Sequence, residues 1–336
     1  MFDVMSEHQL QELHLFQHDK LKAIVAVHST ELGPALGGCR FVEYDDVEKA
    51  TVDAARLARG MTYKAAMAGV PYGGGKSVIM LPSEPYDRTE LFAKFGQFIE
   101  TLNGRYITAM DSGTNVQDMD VIHSKTQFVA SHSGIGDPSP YTAEGVFQCI
   151  KFSLQDELNI PLSKATVAIQ GLGNVGYRLM EKLIDQGATV IVSDVDQEKT
   201  RKAINEHGVF VAPVSEVLME PCDVLAPCGL GGVITEALIP RLNCKLIAGC
   251  ANNQLLKDSV GQMLWDKDIL YAPDFVINSG GLIYASGRIG GKSMDQINDD
   301  IDRLSRTLLS VFCRAHKEGQ SPDQVAFEMA KEKLAP

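Results

Sequence analysis

The apolar positions of the first part of the chain follow helical spacing in some stretches and strand-like runs in others. Residues 21–29, LKAIVAVHS, form an apolar run that predicts a buried strand. Residues 47–62 carry apolar side chains three and four apart, the spacing of an amphipathic helix. Runs at 77–81 and 105–110 predict two further strands, with a helix over 88–102 between them. The pattern is that of an α/β domain.

The second part of the chain alternates more regularly. From residue 142 a helix, a strand over 165–170, a second helix and a strand over 188–194 follow one another. Further short apolar runs then recur at 223–227, 245–249 and 269–273. This alternation predicts a doubly wound parallel sheet. From about residue 294 the pattern is helical to the last residues.

Glycine and proline mark the segments that we expect to be loops. TELGPALGGCR, residues 30–40, predicts a loop, and YGGGK, residues 72–76, predicts a glycine turn. SHSGIGDPSP, residues 131–140, has the strongest linker composition in the chain. Since 336 residues exceed the usual size of one hydrophobic core, a domain boundary is expected in this linker.

A dinucleotide fingerprint opens the helix after the strand at 165–170. Gly171, Gly173 and Gly176 have the order G-x-G-x-x-G, which serves the tight turn, the approach of the pyrophosphate and the packing of helix on strand. Asp194, at the end of the next strand, is placed to accept hydrogen bonds from ribose hydroxyls and to repel a 2′-phosphate. We therefore predict NAD as the cofactor. The predicted contacts are Gly171, Leu172, Gly173, Asn174, Val175, Gly176, Tyr177 and Asp194.

The predicted architecture is α/β, with two domains around a cleft. Residues 1–133 form an N-terminal α/β domain for substrate binding and oligomerisation, and residues from about 300 to 336 pack back onto it. Residues 134–299 form a Rossmann-type doubly wound NAD domain.

Composition narrows the partners. A net charge of −12 without a compensating basic run argues against nucleic acid. No apolar run approaches the length of a membrane span, and the first residues, MFDVMSEHQL, differ from a signal peptide, so we expect a cytoplasmic protein. Seven scattered cysteines include no C-x-x-C pair, and we predict no metal site.

Lys64, Lys76 and Asp111 are the candidate chemical groups. Two ammonium groups held close together disfavour each other's charge, so one can act as a neutral base while the other binds a carboxylate. Surface exposure of both lysines, and a turn-capping role for Asp111, are the alternatives. GGGKS does not form a phosphate loop, because Val70 stands where that motif requires glycine and a strand-like run follows.

Nine segments in collinear order, from residue 28 to 283, resemble one family. They are LGPALGGCR, GMTYKAAMAG, GGGKSVI, NGRYITAMDSGT, GDPSPYTAEGV, GLGNVG, APCGLG, AGCANNQL and APDFVINSGGLI. They resemble the leucine, valine and phenylalanine dehydrogenases of the glutamate dehydrogenase superfamily, with leucine dehydrogenases as the nearest group.

The resemblance implies an NAD-dependent oxidative deamination of an amino acid and a role for each candidate. Lys64 holds the substrate α-carboxylate, Lys76 is the general base that helps water attack an iminium, and Asp111 handles protons at the amino group. The backbone of Gly37 and Gly38 lies by the substrate. Further implied cofactor contacts are Thr142, Asn252, Asn253 and Asn278.

The resemblance also places the substrate side chain. It implies a pocket formed by Leu36, Ala109, Leu282 and Ala285, all of them apolar. Glutamate enzymes have a lysine at the position of Leu36, and a carboxylate buried against leucine would be costly. We therefore expect leucine and its branched neighbours as substrates, with phenylalanine or tryptophan as the alternative.

The chain departs from the family at two places, and three other functions compete with the one that the resemblance implies. Leucine dehydrogenases have glutamate where this chain has Met110, so we expect different contacts near the substrate amino group. Some octameric members have a longer C-terminus, so we expect a homo-oligomer and favour a dimer over an octamer. An NAD-binding regulator should have lost one of the three chemical groups. A 2-hydroxy-acid dehydrogenase should carry a catalytic histidine within the motifs. A scaffold should have fewer glycine-dense loops.

Overall fold

A computed structural model describes residues 1–335 and divides the chain into two compact units. Unit 1 contains Met1–Asp137, Ala285–Lys292 and the residues from Lys333 onward. Unit 2 contains Pro138–Tyr284 and Ser293–Glu332. The linker region 131–140 thus contains the first division. Residues 300–332, which the sequence analysis assigned to the first domain, belong to unit 2.

Unit 1 is built on a mixed five-stranded sheet. Its strands are β1 (Glu12–His18), β2 (Leu21–Ser29), β3 (Ala35–Val42), β4 (Gly73–Met80) and β5 (Tyr106–Met110), in the order β1-β2-β4-β3-β5. β2 is antiparallel to β1 and β4, whereas β3 is parallel to β4 and β5. Its helices are α1 (Phe2–His8), α2 (Val47–Ala68), α3 (Arg88–Thr101) and α4 (Val116–His123).

Two of these strands correct the sequence analysis, which predicted a loop over 30–40 and a glycine turn over 72–76. Residues from Ala35 belong to β3, and Gly73, Gly74 and Gly75 belong to β4. The glycines have a packing role, because a Cβ on Gly74 would lie 2.1 Å from the Thr62 nitrogen and one on Gly75 would lie 2.7 Å from the Tyr106 ring. Close approach of neighbouring elements, and not a turn, requires them.

Each face of the sheet has its own core. α3 and α4 cover one face, where Phe92, Phe95 and Met119 pack on alternate strand residues such as Cys39 and Ile79. On the other face α2 packs against β2 and β4, where its alanines meet Ile24, Ala26 and Val78. Since side chains alternate along a strand, Lys76 shares the α2 face with Val78.

The helix α2 is longer than predicted. The Asp46 side chain caps its start by accepting from the Lys49 N–H, and Gly69 ends it in a left-handed conformation with φ of 67°. Buried alanines along one side let it lie close to the sheet. As a result Lys64 lies inside the last two turns, at a fixed place.

Unit 2 contains a parallel six-stranded sheet in the order β11-β10-β9-β6-β7-β8. The strands are β6 (Thr166–Gln170), β7 (Thr189–Ser193), β8 (Phe210–Val211), β9 (Val224–Pro227), β10 (Leu246–Ile247) and β11 (Leu270–Tyr271). The chain adds β7 and β8 on one side of β6 and then β9 to β11 on the other. This reversal is the switch point of a doubly wound sheet, at whose carboxyl ends ligands bind.

The helices of unit 2 complete the fold. They are α5 (Ser139–Phe152), α6 (Asn174–Asp185), α7 (Gln197–His207), α8 (Ser259–Trp265), α9 (Asp274–Ile277), α10 (Gly280–Ile289), α11 (Met294–Glu318) and α12 (Pro322–Leu334). The division between the units falls within α10, and the last residues of α12 belong to unit 1. The predicted two-domain α/β fold with a Rossmann-type sheet is confirmed.

The long helix α11 explains where the C-terminal segment lies. Ser293 and Gln296 form a capping box at its start, and its apolar stripe packs against α5 and α9 of unit 2. The amphipathic pattern showed that one side is buried but did not identify the partner. Within residues 1–335, no helix is both long and apolar enough to cross a membrane.

Candidate active site

Lys76 and Asp111 form a buried ion pair in unit 1. Lys76 Nζ donates to Asp111 Oδ2, and the two side chains are only 8% and 20% exposed. Asp111 follows β5, and its Oδ1 accepts from the Ser112 N–H at 2.7 Å. Burial alone would raise the pKa of Asp111, but Lys76, the Ser112 N–H and Arg40 together hold it below its usual value. The carboxyl group is therefore ionised.

Gly37 and Gly38 bring the backbone of β3 up to this pair. A Cβ on Gly38 would lie 2.7 Å from Asp111 Cβ, and one on Gly37 would lie 1.7 Å from the Gly75 carbonyl oxygen. The Tyr106 hydroxyl donates to the Gly37 carbonyl at 2.7 Å. Any side chain at either glycine would displace a strand or the carboxylate, which explains why glycine stands at both positions.

The two-residue period of the strands puts five of the predicted site residues on one face of the sheet. Leu36 and Gly38 are two residues apart on β3, Lys76 lies on β4, and Ala109 lies two residues before Asp111. Register places Gly38 opposite Ala109. Leu36 is buried and Ala109 is half-buried. Two apolar side chains, Leu36 and Ala109, therefore lie on the same sheet face as the ion pair.

The remaining predicted substrate residues lie on helices. Lys64 is half-buried on α2. Leu282 and Ala285 are three residues apart on α10, on one side of that helix, with Leu282 in unit 2 and Ala285 in unit 1. Leu282 is half-buried and Ala285 is buried.

The glycine fingerprint of unit 2 has the geometry that a pyrophosphate requires. Gly171 has φ of 100°, and a Cβ there would lie 2.7 Å from the Gly229 nitrogen. A Cβ on Gly176 would lie 2.1 Å from the Gly171 carbonyl oxygen, so the helix packs tightly on the turn. A Cβ on Gly173, the N-cap of α6, would meet no atom within 4 Å. That open space at a helix N-terminus fits a phosphate group.

Asp194 lies directly after β7 with both carboxylate oxygens in use. Oδ2 accepts from the Leu172 N–H at 2.6 Å, and Oδ1 accepts from the Asp196 N–H at 2.8 Å. Lys199 Nζ lies 3.9 Å from Oδ2. Because each carboxylate oxygen has two lone pairs, acceptor sites remain for hydroxyl donors.

The looser cofactor candidates all lie in unit 2. Asn278 is buried, and its amide donates to the Asn252 side chain at 2.9 Å and to the Cys250 carbonyl at 3.2 Å. Asn253 has φ of 51°, and its carbonyl accepts from the Gly232 N–H at 2.7 Å. Thr142 lies in the first turn of α5, where a Cβ on Gly281 would come within 2.5 Å of its hydroxyl oxygen.

The sequence analysis missed Arg40 of β3, the second cation beside Asp111. Its Nε lies 3.8 Å from Asp111 Oδ2, while its Nη1 donates to Asp53 Oδ2 at 2.8 Å. The strand register could have identified it, since Arg40 follows Gly38 by two residues and shares its face, but the segment was predicted to be a loop. Among residues 1–335, no group of three or more His, Cys, Asp or Glu side chains could hold a metal ion.

A dinucleotide-binding sheet and a separate lysine–aspartate pair define an oxidoreductase that uses a nicotinamide cofactor. Two family models match the chain: Glu/Leu/Phe/Val dehydrogenase, dimerisation domain, over residues 11–128, and Glutamate/Leucine/Phenylalanine/Valine dehydrogenase over residues 134–197 and 193–331. The chain belongs to this family of amino-acid dehydrogenases.

Individual relatives are similar over nearly the full length. Leucine dehydrogenase of Thermoactinomyces intermedius is 40% identical over 341 residues, covering 99% of this chain and 93% of the relative. Valine dehydrogenase of Streptomyces albus is 41% identical over 323 residues, covering 94% and 89%. The crystal structure of L-tryptophan dehydrogenase from Nostoc punctiforme has a TM-score of 0.86 at 36% identity, covering 99% and 98%. The predicted family and enzyme class are confirmed, and the substrate is a small-molecule amino acid.

Proposed function

We propose that the chain oxidatively deaminates leucine and other branched-chain L-amino acids to the 2-oxo acid and ammonia, reversibly and with NAD. The observation that supports this most directly is the buried Lys76–Asp111 pair beside the β3 glycines, on a sheet face whose neighbouring side chains, Leu36 and Ala109, are apolar. Charged groups for the amino and carboxylate ends and an apolar surface together suit an aliphatic amino acid.

The chemistry divides among three side chains. The glycine fingerprint and Asp194 would hold NAD, which would supply the acceptor for a hydride from the substrate Cα. The Lys64 ammonium binds the α-carboxylate, and Asp111 takes a proton from the substrate amino group. Lys76, after releasing its own proton to solvent, accepts a proton from the water that attacks the resulting iminium, and the carbinolamine collapses to the 2-oxo acid and ammonia. The sum is amino acid, NAD⁺ and water giving 2-oxo acid, ammonium, NADH and a proton.

Two features support the choice of substrate and cofactor. Glutamate would bring its second carboxylate to an apolar surface, and burying that charge without a partner is costly. A 2′-phosphate would meet the Asp194 carboxylate, with Asp196 two residues further on, which favours NAD over NADP. The similarity to the L-tryptophan dehydrogenase structure favours an aromatic amino acid as the second candidate.

Absorbance of NADH at alkaline pH tests the proposal. Leucine, valine, isoleucine, phenylalanine, tryptophan and glutamate are offered one at a time with NAD, and the best substrate is repeated with NADP. We expect the highest kcat/KM with a branched aliphatic substrate, none with glutamate, and at least about a tenfold loss with NADP. An aromatic preference would select the second candidate. No turnover with all six would reject dehydrogenase activity and favour an NAD-binding regulator.

The assembly that we propose is a dimer. The family model over residues 11–128 describes a dimerisation domain, which supports the assembly of at least two copies. Light scattering coupled to size-exclusion chromatography should give a mass of about 73 kDa, twice that of the 36.5 kDa chain. A mass eightfold that of the chain would reject the dimer.

A further inference from the structure

Arg40 lies close to the carboxylate of the ion pair. It is on β3, two residues after Gly38 and therefore on the same face, and its side chain is 24% exposed. Its Nε lies 3.8 Å from Asp111 Oδ2, the oxygen that also accepts from Lys76. That separation is too long for a hydrogen bond and short enough for a charge interaction. Asp111 Oδ2 therefore interacts with two cations.

The guanidinium is held from its other side. Arg40 Nη1 donates to Asp53 Oδ2 on α2 at 2.8 Å, and the Tyr44 hydroxyl donates to the same oxygen at 2.7 Å. Arg56 is a third partner of Asp53, with Nη2 3.4 Å from Oδ1. The Arg40 Nε–H is fully buried and has no hydrogen-bond acceptor among the described residues. The arrangement ties Nη1 to Asp53 and leaves Nε, 3.8 Å from Asp111 Oδ2, without an acceptor in the described part of the chain.

The charges of this group reinforce each other. Burial alone would lower the pKa of Arg40, but the Asp111 and Asp53 carboxylates outweigh it and raise the pKa. Burial of Asp111 acts against its ionised form, and Arg40 is one of the groups that oppose this. Lys76 from β4 and Arg40 from β3 are the cations against Asp111, while the Cys39 thiol and the Tyr106 hydroxyl lie near enough to sense its charge.

We propose that Arg40 is a positioning residue that keeps Asp111 ionised and oriented at the stages when Lys76 is engaged with substrate or water. The inference rests on the proposed function, in which Lys76 and Asp111 act on different atoms. Without Arg40, the largely buried Asp111 carboxylate would have no counter-ion whenever Lys76 is neutral, and it would take up a proton. Arginine cannot be deprotonated in a protein, so Arg40 is a permanent positive charge close to Asp111.

The choice of arginine follows from the two contacts. A guanidinium presents donors in a rigid fork, so Nη1 can bind Asp53 while Nε faces Asp111. A lysine ammonium at the same place is a single point that satisfies one carboxylate at a time. Arg40→Lys should therefore keep part of the effect, and Arg40→Gln should lose it.

The direct test titrates Asp111 without requiring turnover. Carbon-13 NMR of protein labelled at the aspartate carboxyl carbon, with Asp111→Asn to assign the signal, is recorded for Lys76→Ala and for Lys76→Ala with Arg40→Gln. We expect the Asp111 midpoint to rise by about 1 to 3 pH units when Arg40 is removed, the usual effect of losing a nearby opposite charge. Equal midpoints in the two proteins would overturn the inference, even if the enzyme proved inactive.

The kinetic test separates positioning from binding. In Arg40→Gln, kcat should fall by about 10- to 100-fold with the KM for NAD unchanged, and the acid limb of kcat/KM against pH should move to higher pH. Arg40→Lys should lie between Arg40→Gln and wild type. Arg56→Gln is the control: it also removes a positive charge beside Asp53, but Arg56 does not contact Asp111. Its kcat should change by less than twofold. An unshifted acid limb in Arg40→Gln overturns the inference, whereas inactive wild type overturns only the proposed function.

If Arg40→Gln fails to fold, Tyr44→Phe supplies a milder test. It removes one donor from Asp53 and loosens the guanidinium without changing any charge. The acid limb should shift in the same direction by a smaller amount, and rates at its plateau should stay within about fivefold. An acid limb of kcat/KM identical to that of wild type would argue against an effect of Tyr44 on Asp111 through Asp53 and Arg40.

Discussion

At the scale of single residues, the proposed chemistry depends on which atom each charged group touches. Lys76 was expected from the sequence to be tuned by a second lysine. The structure gives it a carboxylate partner, Asp111, and gives that carboxylate a second cation, Arg40. The three side chains are 35 and 36 residues apart in sequence and meet because β3, β4 and β5 are neighbours in the sheet.

Lys76→Ala should keep NAD binding and lose turnover, because the base that activates water is removed while the dinucleotide fingerprint in unit 2 is untouched. We expect a fall in kcat of at least about 100-fold. NAD binding, followed by protein fluorescence, should stay within twofold of wild type. Lys49→Ala, an exposed lysine at the start of α2, is the matched control. Normal turnover by Lys76→Ala would mean that another group is the base.

Asp194→Ser should weaken the preference for NAD. The change removes a negative charge after β7 and leaves a hydroxyl that can still face the ribose. We expect the ratio of kcat/KM for NAD to that for NADP to fall by at least tenfold. Steady-state kinetics with both cofactors measure it, and Asp196→Ser is the comparison. A ratio equal to that of wild type would show that Asp194 does not select the cofactor.

At the scale of elements, the sequence predicted regular strands and helices and failed where glycine was dense. The strands at Leu21–Ser29 and Thr166–Gln170 and the helix beginning at Arg88 lie where their patterns placed them. β3 and β4 were taken for a loop and a turn, since propensity cannot distinguish a glycine that bends the chain from one that admits a neighbour. The same error concealed Arg40, because the two-residue alternation that assigns side chains to one face of a sheet applies only within a strand.

Gly75→Ala tests the packing role of a strand glycine. The new Cβ would lie 2.7 Å from the Tyr106 ring, which is fully buried and whose hydroxyl donates a hydrogen bond to the Gly37 carbonyl. The free energy of unfolding should therefore fall by about 1 to 3 kcal/mol. Gly60→Ala on α2 meets no atom within 4 Å and should stabilise by about 0.5 to 1 kcal/mol. Denaturant unfolding of both variants provides the comparison. Equal effects would remove the close-approach explanation.

His28 on β2 predicts an acid-sensitive contribution to stability. Burial lowers the pKa of His28 to about 4, with smaller effects from Arg59 and His8, and its Nδ1 lies 2.8 Å from the Thr62 hydroxyl. The unfolded chain therefore binds the proton first as pH falls below about 6.5. Stability should be lost between about pH 6.5 and 4, by about 2 kcal/mol at pH 5, and His28 contributes no pH dependence above that window.

Urea unfolding of wild type and His28→Gln at pH 7.5 and pH 5 measures this term. Glutamine stays neutral at both values, so the variant should lose about 2 kcal/mol less than wild type between them. His18→Gln, at an exposed position on β1, should behave as wild type. An equal loss in wild type and His28→Gln would show that other groups govern acid sensitivity.

At the scale of the whole molecule, the candidate residues are distributed between two compact units. Unit 1 carries Lys64, Lys76 and Asp111, and unit 2 carries the glycine fingerprint and Asp194. The sequence predicted this distribution, because the fingerprint and the lysines lie on opposite sides of the linker. It did not predict that residues 300–332 belong to unit 2, since an amphipathic helix does not reveal the surface that it covers.

The distribution makes a prediction for hydrogen exchange. NAD alone should slow exchange in peptides spanning residues 171–177 and 194–196, since a ligand that binds only the folded form suppresses local opening there, by about 2.7 kcal/mol at a hundredfold excess over its Kd. A 2-oxo acid alone should instead protect peptides that contain residues 36–40 and 106–111. Mass spectrometry of the exchanged peptides reads both units in one experiment, and a sugar phosphate serves as the control ligand.

Protection of residues 36–40 by NAD without any at 171–177 would assign the cofactor to unit 1, against the fingerprint. Separate protection by the two ligands would instead show that each unit recognises its own ligand before any chemistry occurs.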